Sequence, residues 1–150
     1  MLEAFFTALL ILANWPQWFP RGDAQPRKGA PSLTLYSANL WARNTDVEAI
    51  SRSIHEADAD VVVLVELGDA PSAQLDRVLK GYPHRILNAR ADRPSGAARA
   101  VIASRYPLTA IPDRPDGLVS VAATAQTPLG PVNIIGAHLT RPWPFQYQWG

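Results

Sequence analysis

The 150 residues predict an α/β fold, and three observations carry that prediction. Between Leu33 and Gly81 the hydrophobic pattern alternates strand, helix, strand, helix. The stretch Val61 to Val65 is apolar without a break, as in a strand covered on both faces. Beyond Gly81 the pattern changes to successive strands separated by turn-rich pieces. The length suffices for one domain with a core of its own. Hydrophobic content of 47% and charged content of 18% exclude a disordered composition, and 14 prolines favour a loop-rich α/β or β protein over a helical bundle. Cysteine is absent, which excludes a disulfide scaffold and a thiolate metal site.

In chain order, "MLEAFFTALLILANW" comes first, uncharged from Ala4 to Trp15. A spanning helix needs about 20 predominantly apolar residues, so this run is too short to cross a bilayer by itself. Glu3 stands where a signal peptide carries a basic residue, and "ANWPQWFP" is no small-residue cleavage site. Trp15, Trp18 and Phe19 resemble an interfacial aromatic belt. Residues 1–19 are therefore expected to be a membrane-anchor-like segment, with an amphipathic or core helix as the alternative. The expected location is membrane-associated or in the cell envelope, and otherwise cytoplasmic. Residues 20–32, with three prolines and two glycines, read as a linker. The folded domain is expected over 33–150.

Strand one is expected over about 33–39. In "NTDVEAISRSIHEA", Thr45 and Glu48 have the form of a capping box, and Val47, Ile50, Ile54 and Ala57 recur at helical spacing. "DADVVVLVE" supplies the buried strand, and "PSAQLDRVLKG" a short helix with Leu75, Val78 and Leu79 inward and Gly81 as a stop. This order suggests a right-handed crossover and some parallel pairing. "YPHRIL", "ARAVIAS", "GLVSVAATA" and "PVNIIGAHL" follow as strands, the last two joined by "QTPLG" as a hairpin.

The net charge is only +1, which gives no case for nucleic acid from composition. The half from Gly81 onward carries seven arginines against three aspartates, a cation type suited to bidentate phosphate contact or, equally, a solvated face. Three strands end on a polar residue with metal or proton chemistry: Asn39, Glu66 and His138. Ligands of α/β proteins collect at one end of the strands. Brought together, the three would offer an amide, a carboxylate and an imidazole, a set suited to a hard divalent cation. Glu66 would be the direct ligand, and Asn39 would supply an oxygen or orient Glu66. His138 better fits a phosphate contact or proton transfer. His55 and His84 read as structural. Taken singly, Asn39 could be a turn residue, Glu66 an exposed strand end and His138 a structural histidine.

"LYSANLW", "ADVVVLVEL", "AVIASRYPL" and "VNIIGAHLTRP" occur in this order, and together they resemble the endonuclease/exonuclease/phosphatase superfamily, the deoxyribonuclease I-like fold, from about Leu33 to Pro142. The resemblance implies a layered α/β sandwich and metal-assisted hydrolysis of a phosphate ester, of nuclease or phosphatase type, with Mg²⁺ as cofactor and Mn²⁺ as the alternative. It makes Asn39 the active-site asparagine, Glu66 the metal-binding glutamate and His138 the histidine on the scissile phosphate. Ser104 and Arg105 match a signature near the site. Arg105 and Arg141 are candidates for substrate phosphate. Trp41 is expected to fix Asn39 by packing. The substrate would be a nucleic acid, an inositol phosphate or a phospholipid.

The family's Gly-Asp-x-Asn and Ser-Asp-His-like motifs are not found; Gly22-Asp23 and Gly68-Asp69 stand in other places. The expectation is therefore the N-terminal part of the domain, with a first sheet lacking the second sheet that covers it and with little or no hydrolysis by this chain alone. The alternative is a non-catalytic membrane-associated binding module on half of the scaffold. A doubly wound nucleotide-binding domain is disfavoured, because "ANLWARNTD" has no glycine to let the backbone approach pyrophosphate.

Overall fold

A computed structural model describes residues 29–88, 99–112 and 119–138, together with helical residues 6, 7, 9, 12 and 13. The chain divides into two units, Met1–Ala30 and Pro31–Gly150. In the first, Phe6, Leu9 and Leu12 are exposed helical residues. No helix among the described residues is long and apolar enough to cross a membrane.

The second unit holds seven strands and three helices among the described residues: β1 (Leu35–Asn39), α1 (Val47–Ala57), β2 (Val61–Val65), α2 (Asp69–Ala73), α3 (Leu75–Val78), β3 (His84–Leu87), β4 (Ala100–Ser104), β5 (Leu108–Ala110), β6 (Val119–Thr127) and β7 (Gly130–His138). One sheet has the order β1-β2-β4-β3 and the other β5-β6-β7. β1 and β2 are parallel across the α1 crossover, as expected, and the remaining pairs are antiparallel. The hairpin expected at "QTPLG" forms with Thr127 opposite Gly130, whose φ of 97° is one that glycine adopts freely.

Helix α1 starts differently from expectation. Asp46, not Thr45, is the N-cap: its side chain accepts from Ala49 N at 2.9 Å. Glu48 faces Arg77 instead of closing a capping box. Val47, Ile50 and Ile54 are buried, but Ala57 is exposed, and the chain next buries Ala59 after Asp58 turns it through a left-handed conformation. The single helix expected over 71–81 is two short ones, broken at Gln74.

Alternation along β2 and β4 sorts their side chains into two cores. Val62, Leu64, Val101 and Ala103 join Ile50, Ile54, Val78 and Leu79 beneath the helices. Val61, Val63, Ala100 and Ile102 share a second cluster with Val121, Ala123, Ala125 and Ile134 of β6 and β7. The expected bare inner face is thus corrected: β6 and β7 cover it along β2 and β4. The small residues Ala123, Ala125 and Gly136 let the strands approach; a Cβ at Gly136 would lie 2.6 Å from Val63 Cγ1. Beside β1 an open groove of about 840 Å³ remains, lined by Leu33, Leu35, Val63, Val132 and Ile134 and closed at one end by Asn39 and His138.

Candidate active site

Parity within each strand delivers the three polar residues. In β1, Leu35, Ser37 and Asn39 alternate with Tyr36 and Ala38, which pack toward the helices. In β7, His138 shares a face with Ile134 and Gly136, which are buried. Glu66 follows β2 directly. The β1–β2 ladder runs on through Leu40 N to Val65 O at 3.0 Å, and Leu67 N already bonds Arg99 O at 3.1 Å. Glu66 is the one residue between those two bonds and takes φ 53°. A left-handed non-glycine residue is sparsely populated and typical of functional positions.

The structure brings Asn39, Glu66 and His138 together. Asn39 Nδ2 donates to Glu66 Oε1 at 2.7 Å, and Asn39 Oδ1 accepts from Trp41 N at 2.9 Å. A backbone N–H can only donate, so the amide's orientation is fixed. His138 Nε2 lies 2.7 Å from Glu66 Oε1, and Ala42 N donates to Oε2 at 3.2 Å. An ionised carboxylate only accepts, so His138 donates from Nε2. Burial pushes the Glu66 carboxyl up, but the bonds from Asn39, Ala42 and His138 outweigh it and hold the group below its ordinary value. Glu66 and His138 are both largely buried, with side-chain exposures of 18% and 21%. Asn39 thus engages Glu66 through its Nδ2, while its own oxygen is taken by Trp41 N.

Two expectations are corrected. Trp41 is 63% exposed and fixes Asn39 through its backbone N–H, not by packing. Ser104 and Arg105 lie away from the cluster: Ser104 pairs with Val61 at the start of β2, whereas Glu66 follows its end. At about 3.3 Å per strand residue, the length of β2 separates them. There Arg105 pairs with Asp58 and lies over the Tyr82 ring, and Ser104 Oγ accepts from Tyr106 N at 2.9 Å. "SRYPL" builds a corner of the fold. Arg141 lies outside the described residues. His55 is structural, as expected: Nε2 meets Lys80 O at 2.9 Å and Nδ1 meets Ser51 Oγ at 3.3 Å.

Sequence reasoning missed the backbone donors of Trp41 and Ala42. It also missed Gly68, where a Cβ would lie 2.3 Å from Ala42 O. That close approach seats the 41–44 loop against the chain leaving Glu66. The glycine two residues after the glutamate was the available signal. Among the described residues no third acidic or imidazole group joins Glu66 and His138 in a metal-binding cluster. The oxygens present still fit a hard cation: Oε2 of the ionised Glu66 accepts one bond and keeps a second lone pair.

The Endonuclease/Exonuclease/phosphatase family matches over residues 36–149, and the chain belongs to it. Comparison with curated proteins gave no match. The match includes Asn39, Glu66 and His138. Membership makes this a hydrolase domain of a family that acts on phosphoesters and generally uses divalent metal ions.

Proposed function

We propose that the domain is a Mg²⁺-dependent phosphodiesterase or phosphatase with the layered sandwich of the deoxyribonuclease I-like type, centred on Glu66. The observation that carries this is one carboxylate held ionised by donors from separate parts of the chain, at a common strand end. Glu66 would hold the ion through Oε2, with Mn²⁺ as the alternative, and the bound ion would polarise a phosphoryl oxygen. Asn39 keeps the carboxylate oriented. His138, one hydrogen bond away from Glu66, is positioned to turn Nε2–H toward a phosphate oxygen once the carboxylate is engaged elsewhere. Binding of the ion is the direct test of this assignment.

Calorimetric titration of the full chain with Mg²⁺ should give one site. Glu66→Gln, which keeps shape and removes charge, should weaken it by at least tenfold, on the order of 1.4 kcal/mol. Equal Mg²⁺ affinity in the two proteins would refute the assignment of Glu66.

Membrane contact through residues 4–19 is part of the same proposal, supported by the exposed Phe6, Leu9 and Leu12. On this reading the protein would act at a membrane or in the cell envelope, and without that contact in the cytoplasm.

A further inference from the structure

Trp41 stands at the site with no packing role to explain its size. Its indole is exposed, and its backbone φ is 56°. Glycine adopts that conformation without penalty and a bulky residue does not. The backbone function of position 41, donating to Asn39 Oδ1, needs no side chain. The next residue but one, Arg43, is exposed and has no ion pair among the described residues. Of the other described arginines, Arg77, Arg85, Arg99 and Arg105 are each matched with an aspartate or glutamate, and Arg52, also unpaired, lies on α1 and not in the loop that holds Glu66. Between the two, Ala42 donates its N–H to Glu66. An open aromatic face and an uncommitted guanidinium thus flank a backbone group that holds the proposed phosphate-processing carboxylate.

We propose that Trp41 and Arg43 form the substrate-reading edge of this site. The indole stacks on the planar ring of a nucleoside-bearing phosphoester, and the guanidinium meets the outward oxygens of its phosphate. The loop favours this ligand over a lipid. Arg43, Asn44, Thr45 and Asp46, which follow Trp41 in the loop, are polar and offer an acyl chain no aliphatic neighbours, whereas the aliphatic groove lies beside β1 and is not lined by Trp41. The inference rests on the phosphoester reading of Asn39, Glu66 and His138, and the test separates the two.

The dissociation constants of adenosine 5′-monophosphate, ribose 5-phosphate and inorganic phosphate are measured on the full chain with Mg²⁺. The ring-bearing ligand should bind about tenfold more tightly than ribose 5-phosphate, as base–aromatic stacking gives. Trp41→Ala and Trp41→Gly should erase that ratio, and Trp41→Phe should restore part of it. Trp41→Gly should do so without lowering the melting temperature, which separates recognition from a structural role. Arg43→Gln should weaken both sugar phosphates several-fold and leave their ratio intact. Equal binding of the two sugar phosphates, or a ratio that survives Trp41→Ala, overturns the proposal while phosphate binding upholds the site. Failure of all three ligands to bind overturns both.

Discussion

Glu66 shows how a single residue becomes chemically distinct through its neighbours. Burial alone would favour the neutral acid, but three hydrogen bonds reverse the balance and lower its pKa from the ordinary 4.5. A carboxyl whose folded value lies below its unfolded one stabilises the fold fully above the unfolded value, and that stabilisation is lost as pH falls through the folded value. The melting temperature should therefore drop on acidification below about pH 4.5, and Glu66→Gln should remove part of that drop. A melting series between neutral and acid pH, run on both proteins, checks it; parallel curves would contradict the role of Glu66. Asn39, Glu66 and His138 were legible in the sequence because each ends an apolar strand, where a polar residue stands out. The left-handed conformations of Trp41 and Glu66 were not. Glycine, asparagine and aspartate announce such positions, and neither Trp nor Glu does.

At the scale of elements, the decisive contact is the approach of β7 to β2. Gly136 leaves β7 free to settle on Val63 and Val121, and His138, two residues on along the same face, then reaches Glu66. Gly136→Ala would place a methyl 2.6 Å from Val63 Cγ1 and 3.2 Å from Val121 Cγ1. Overpacking of this kind costs about 1–3 kcal/mol. The expected result is a lower denaturation midpoint together with weaker Mg²⁺ binding, because the strand carrying His138 is displaced. A variant as stable as the parent would show that β7 does not seat there. β2 was readable from its unbroken apolar run, the later strands from the turn-rich pieces between them, and α1 from its period. Its true cap was not, because Asn44, Thr45 and Asp46 are all capable caps in a row and only the loop's path decides among them. The short β5 escaped notice for want of length: three residues show no period.

For the whole molecule, two apolar clusters on the two faces of the β1-β2-β4-β3 sheet account for its internal order. The expectation of an uncovered sheet failed because β6 and β7 were read as strands without being assigned a partner face. Their inward alanines and Gly136 look weakly hydrophobic in sequence yet permit the closest packing. The N-terminal unit presents Phe6, Leu9 and Leu12 to solvent. Replacing Leu9 and Leu12 by Glu in the full chain should abolish co-sedimentation with anionic lipid vesicles and leave Mg²⁺ binding unchanged. Undiminished co-sedimentation would contradict membrane contact through this segment.

The proposal that three strand ends converge on one carboxylate that binds a cation is tested most directly by adding Mn²⁺ to isotopically labelled protein and following paramagnetic broadening residue by residue. The Asn39 side-chain amide, the Ala42 amide and the His138 ring should broaden first, and the effect should vanish in Glu66→Gln. Broadening that begins at the Asp58–Asp60 corner, or that spreads evenly over the acidic residues, would contradict the account.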